Sequence, residues 1–234
     1  MGEVSNNGSR GNGGEKSYRE KVLERKRQVE QPRENNADKG GDIPGSFVMQ
    51  CLGANELGDG MLFAAIHRDK YLFAHNLAEW LEWNGHYWEL DHQRHAARDC
   101  EDVALRYLEK RENIVNDIGQ AASEGNKDQL TRLEAQKASI DRRVNRLRSN
   151  RGQANTLAMA HTCRDGLGIS GNELDEDPYL LACANGVIDL RTGQHRPGRR
   201  DDYLTKASLI EWQGIDAPAE MWAGTLSQIF DNNQ

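Results

Sequence analysis

Long hydrophobic runs are missing from this 234-residue sequence. None approaches the roughly 18–20 consecutive apolar residues that a membrane helix needs, and no apolar stretch near Met1 has the form of a secretory signal. Cysteine is scarce: Cys51, Cys100, Cys163 and Cys183 stand far apart with no C-x-x-C pair. That spacing argues against a disulfide framework or a zinc ribbon and predicts a reduced, cytoplasmic chain with free thiols. The catalytic strings G-x-x-x-x-G-K-[ST], G-x-S-x-G and H-E-x-x-H are also absent. The chain therefore carries no P-loop for a nucleoside triphosphate, no serine-hydrolase elbow and no zinc-protease pair.

What is present is charge. Charged residues make up 29% of the chain against 37% hydrophobic, and the mean hydropathy is -0.84. A net charge of -7 argues against a generic nucleic-acid binder, but the charge is unevenly spread. Residues 132–151 hold seven basic and two acidic side chains, a local +5, whereas residues 171–234 hold five basic and eleven acidic, a local -6. That asymmetry carries more information than the total.

Residues 1–45 are rich in Gly, Asn and charges of both signs. Such a segment cannot bury enough surface to offset its ordering entropy, so it is expected to be a disordered leader, with at most a transient helix over "EKSYREKVLERKRQVE". The remainder, 46–234, reads as a single α+β domain, mostly helical, with two short β-hairpins and a long antiparallel αα-hairpin. "DGMLFAAIHRDKYLFA" from Asp59 has a helical apolar stripe followed by a strand-like run. In "LAEWLEWNGHYWELD", residues 77–91, Asn84-Gly85 separates two aromatic-rich runs and predicts a hairpin closed by a type I′ turn. Over 96–150, Ala104, Leu108, Arg111, Val115, Ile118 and Ala122 recur at helical spacing. After a break at Gly125-Asn126, Leu130, Leu133, Lys137, Ile140, Val144 and Leu147 do the same. These two stripes form the αα-hairpin. A further helix from Ala154 to about Cys163 is expected after a break at Gly152. In residues 172–206, Asn185-Gly186 and Thr192-Gly193 mark turns around the strand Val187–Leu190, and Pro197-Gly198 ends the return strand. Residues 218–230 place Met221, Trp222, Leu226 and Ile229 on one face of a helix, and the chain reads as continuing beyond Gln234.

The chemistry-bearing candidates are few. His92, His95 and Cys100 offer three metal-ligand types at a spacing that fits no standard zinc pattern. Glu89 and Asp91 lie two apart on a strand, as a Mg²⁺-dependent primase or nuclease arranges its carboxylates, although the competing role of capping a helix start is the stronger one. Arg142, Arg143, Arg146, Arg148 and Arg151 form the feature with a plausible binding role. Guanidinium groups along a helix follow a phosphate backbone, with affinity that falls as salt rises. Pairing with an acidic surface of another subunit is the alternative. Arg196, Arg199 and Arg200 make a weaker patch beside Asp201 and Asp202.

One segment resembles a known family. Asp177-Pro178-Tyr179-Leu180-Leu181, then "NGVIDLRTG" from Asn185 to Gly193, Arg196-Pro197 and Asp202-Tyr203-Leu204-Thr205-Lys206 follow the order of the domain that precedes the superfamily 3 helicase module in phage, plasmid and poxvirus-type primase-helicases. "EWLEWNGHYWELD" is similar to that family's tryptophan hairpin, and "MWAGTLSQIF" to the helix leading toward its ATPase. The resemblance covers about Asp59 to Phe230. It implies an accessory N-terminal domain of a replicative DNA helicase, serving DNA contact and assembly of a homo-oligomeric ring. ATP and Mg²⁺ would belong to a helicase module beginning after a position like Gln234, and this fragment itself would be non-catalytic. The alternatives are a self-associating interaction module without DNA binding, and a small metal-dependent primase or nuclease using Glu89 and Asp91.

Overall fold

A computed structural model describes residues 43–230, so the expected leader at 1–45 lies almost wholly outside the described residues. The described chain is α+β and about half helical, with two small sheets. In order it runs α1 (Gly45–Gly53), α2 (Asn55–His67), β1 (Tyr71–Ala74), β2 (Glu79–Trp83), β3 (Trp88–Leu90) and a one-turn α3 (His95–Arg98). The long helices α4 (Cys100–Ser123) and α5 (Lys127–Leu147) follow, then α6 (Asn150–Thr162) and β4 (Gly168–Ile169). The last part holds β5 (Leu180–Cys183), β6 (Gly186–Asp189), β7 (Gln194–Arg196), a 3₁₀ turn at Arg200–Asp202, β8 (Ala207–Ser208) and α7 (Glu220–Phe230).

Both expected hairpins exist, each inside a four-stranded sheet. The first sheet has the order β3-β2-β1-β4 and the second β7-β6-β5-β8. In each, a two-residue edge strand, β4 or β8, joins in parallel. Strands that short leave no periodicity to read. The αα-hairpin is present as α4 and α5, and it turns where expected. Gly125 takes φ 69°, and the Asn126 side chain caps α5 by accepting from the Gln129 amide.

The main core lies between helices. Val48, Cys51, Leu62, Phe63 and Tyr71 from the first half pack with Val103, Tyr107, Ile140, Val144 and Leu147 of the αα-hairpin. On α5 the expected apolar stripe is the buried one. On α4 it is widened: Ala104 is buried and Leu108 and Ile118 pack on the core as expected, Val103, Tyr107, Ile114 and Ala121 are buried beside them, and Val115 and Ala122 are exposed. The cause is a second contact surface. Tyr107 faces α2, where its hydroxyl donates to Asp59.

Two turn expectations need correction. Asn84 and Gly85 do not form a type I′ turn, because only Gly85 has positive φ. Instead the strands pair last at Trp83 and Trp88, and the Asn84 side-chain oxygen accepts from the amides of His86 and Tyr87. The turn is built on the Asn side chain rather than on Asn backbone strain. Gly152 is not a break but sits inside α6, whose N-cap Ser149 accepts from the Gly152 amide. A Cβ there would collide with the Arg146 carbonyl oxygen, so glycine lets α6 start directly against the end of α5.

Candidate nucleic-acid interface

The arginine run spans the junction of α5 and α6. Positions 142 and 146 are one helical turn apart and share a face of α5, and the chain then bends through Arg148, Ser149 and Asn150 to Arg151. Arg142, Arg146, Arg148 and Arg151 are all exposed. Arg148 is engaged in a bidentate pair with Glu101 of α4. Among the described residues, no carboxylate forms an ion pair with Arg142, Arg146 or Arg151.

Arg143 departs from the expected exposed array. It falls on the apolar stripe of α5 with Ile140, Val144 and Leu147, and it is buried. Its Nη1 donates to Asp59 Oδ2 at 2.8 Å, and its Nη2 donates to the Leu52 carbonyl at 3.2 Å and Asn55 Oδ1 at 3.0 Å. Burial pushes the Asp59 carboxyl up, and Arg143 and Tyr107 pull it back. A buried guanidinium with three acceptors is a structural tie between α5 and the α1–α2 turn. It offers nothing to a phosphate.

The array has a neighbour that no sequence pattern marks. Arg94, in a left-handed conformation at the start of α3, lines an open cleft with Ala97, Asn150, Gln153, Ala154 and Leu157. The cleft has a volume of about 440 Å³ and opens at the N-terminal turn of α6. It brings an exposed arginine and two amide side chains beside the segment that carries Arg151. Residue 94 meets residues 150–157 through folding rather than spacing.

The other candidates are absorbed by structure. Asp91 accepts from the amides of His95 at 2.7 Å and Ala96 at 2.8 Å, capping α3, and Glu89 accepts from Asn84 Nδ2. The strand carboxylates thus serve separate local tasks. Cys100 is buried with its thiol pushed up to about 12 by burial, whereas His92 is exposed, so these two do not converge as ligands. Glu82, Asp91 and His95 do bring potential ligand atoms within 4.8 Å of one another. Lys70 lies 3.5 Å from the Glu82 carboxylate and 2.6 Å from Asp99, so this corner is already an ion-pair network.

The resemblance-bearing segment is a joint. Asp175, at φ 54°, accepts from the Thr205 amide at 2.7 Å, the Thr205 hydroxyl at 2.6 Å and the Lys206 amide at 3.2 Å. Burial raises its carboxyl, and these donors more than reverse that, leaving it below the usual range. Arg191 forks onto Asp177 and lies 4.1 Å from the Tyr179 ring centroid. Arg196 forks onto Asp202 with both contacts at 2.7 Å, and Asn185 exchanges two hydrogen bonds with the Trp212 backbone. The second sheet is then fastened to the tryptophan hairpin. Trp88 donates its backbone amide to the Leu204 carbonyl and its indole N–H to the Arg200 carbonyl. Gly198 passes so close to His86 that a Cβ would collide with the His86 carbonyl oxygen.

Of the second patch, Arg196 is therefore committed to an internal pair and Arg200 to Asp69 and the face of Trp83, while Arg199 is exposed. Among the described residues no helix is long and apolar enough to cross a membrane. A comparison with curated proteins finds no match. The family described as D5 N terminal like, the N-terminal domains of phage, plasmid and poxvirus-type primase-helicases, matches residues 60–231. That span contains the tryptophan hairpin, the αα-hairpin and the whole joint, and the chain belongs to this family.

Proposed function

We propose that this domain is the DNA-contacting accessory domain of a replicative primase-helicase, and that it also contributes to assembly with further copies of the chain. The observation that carries the DNA reading is the array of Arg142, Arg146 and Arg151, exposed at the α5–α6 junction and without a carboxylate partner among the described residues. Exposed charge of that kind on an otherwise acidic chain is available to phosphates. Arg148, held by Glu101, is a secondary contact that must exchange partners to reach DNA. Asn150, Gln153 and Arg94 line a cleft at the start of α6 and offer amide and guanidinium donors to a nucleotide there. ATP and Mg²⁺ are assigned to a helicase module outside these residues.

The reading is tested by fluorescence anisotropy with a labelled single-stranded oligonucleotide over a salt series. Arg142→Ala/Arg146→Ala/Arg151→Ala should reduce the slope of log affinity against log salt by about 2, since each phosphate deprived of its arginine accounts for roughly 0.7. Arg191→Ala, in the joint, should leave the slope unchanged. An unaltered slope in the triple variant moves the array to the subunit-interface alternative.

A further inference from the structure

Arginines that follow phosphates do not by themselves tell single-stranded DNA from duplex, because both carry the same charge. The cleft between α3 and α6 has the parts to do so. Its volume of about 440 Å³ is in the range of clefts that hold small ligands. Arg94 and Ala97 line one side, and Asn150, Gln153, Ala154 and Leu157, which fall on one face of α6, line the other.

Three kinds of surface meet there. Ala97, Ala154 and Leu157 are apolar, and the two alanines leave space that larger side chains would fill. Asn150 and Gln153 each carry a donor and an acceptor on one carboxamide, the combination that fits a base edge. Arg94 is the one charged lining residue, and among the described residues no carboxylate forms an ion pair with it. A nucleotide has the same three parts: a flat apolar ring, a polar edge and a phosphate. An apolar ligand would leave Arg94 and both carboxamides unmatched, and a bare inorganic anion would leave the apolar side unused. The two sides are already fixed in place. The Arg94 amide donates to the Asp91 carbonyl at 3.1 Å, and the Arg94 carbonyl accepts from the amides of Ala97 and Arg98. Cys100, which follows α3, sets its thiol 3.9 Å from the Gln153 carbonyl of α6.

We infer that this cleft takes one unpaired nucleotide of single-stranded DNA and makes the domain prefer single-stranded DNA to duplex. The inference rests on the α5–α6 junction being the face that contacts DNA. Asn150 and Arg151 are consecutive, so a strand held by the array has the cleft beside it. A base that unstacks from such a strand sets its ring against Ala154 and Leu157, its edge on Asn150 and Gln153, and its phosphate on Arg94. In a duplex the base edges are paired and the rings stacked, so entry first requires a base to be flipped out.

The test is fluorescence anisotropy of the whole chain with a single-stranded oligonucleotide and with a hairpin duplex, read as the ratio of the two affinities. The wild type should favour the single strand by at least about tenfold. Ala154→Phe, at an exposed position, fills the cleft and should remove that preference. Asn150→Ala/Gln153→Ala, which empties the cleft of carboxamides without adding bulk, should remove most of it. Arg142→Ala/Arg146→Ala/Arg151→Ala should weaken binding of both DNAs and keep the preference. A 2-aminopurine in the single strand should brighten on binding the wild type, as its base leaves the stack, and stay dim with Ala154→Phe. A wild type that binds both DNAs equally, or a preference that survives both cleft variants, overturns the cleft's role and leaves the array standing. A preference lost with the array instead of the cleft overturns it too. A wild type that binds neither DNA overturns both.

Discussion

Arg143 and Arg142 are adjacent in sequence and opposite in consequence. Removing Arg143 leaves Asp59 buried without its partner, at a cost of about 3–5 kcal/mol. Arg142→Leu on the exposed face should stay within about 0.5 kcal/mol. Thermal melts of Arg143→Leu and Arg142→Leu check this contrast, and adding Asp59→Asn to Arg143→Leu should recover part of the loss by removing the stranded charge. Asp99 is the other residue with a large energetic role. Burial raises its carboxyl, but hydrogen bonds from Lys70, Tyr71 and Arg98 outweigh that and hold it at about 2. The folded value lies below the unfolded one of about 3.9, so the stabilisation is complete above that unfolded value and is lost as pH falls through about 2. Asp99→Asn should therefore cost about 2 kcal/mol near neutral pH. Urea denaturation at a series of pH values should show that difference shrinking between about 4 and 2.

At the scale of elements, the clasp between Asp175 and the Thr205-Lys206 backbone ties the segment leading into β5 to the segment leading into its neighbour β8. Asp175→Ala strands the Thr205 donors and should cost about 1–3 kcal/mol. The expected local signature is faster amide exchange at Thr205 and Lys206, with α4 and α5 unchanged. Much of this level is legible in the sequence. The αα-hairpin, its turn at Gly125-Asn126 and both β-hairpins follow from periodicity and turn chemistry, which act within a few residues. Helix α1 carries too little contrast to be read, and β4 and β8 exist only because a neighbouring strand recruits them. The widened face of α4 has the same origin. A stripe predicts one contact surface, and this helix has two, against α5 and against the Asp59 side of α2.

For the whole molecule, the local charge asymmetry is visible in the sequence, but its use is not. Five arginines in one run read as a single exposed array, whereas the fold buries Arg143, pairs Arg148 with Glu101 and leaves Arg142, Arg146 and Arg151 outward. The difference is long-range, since Asp59 and Glu101 lie 84 and 47 residues away from their partners. Arg94 joins the surface for the same long-range reason. Within the second sheet's segment, by contrast, acidic and basic residues meet at short range, Arg191 with Asp177 and Arg196 with Asp202. The α5–α6 junction is the face proposed to meet DNA. It is tested most directly by labelling arginines with a dicarbonyl reagent, with and without single-stranded DNA, and mapping the adducts by mass spectrometry. DNA should protect Arg142, Arg146 and Arg151, leave Arg191 as reactive as before, and find Arg143 unlabelled in both samples. Equal labelling of Arg142, Arg146 and Arg151 with and without bound DNA would rule out the α5–α6 junction and place the DNA elsewhere on the chain.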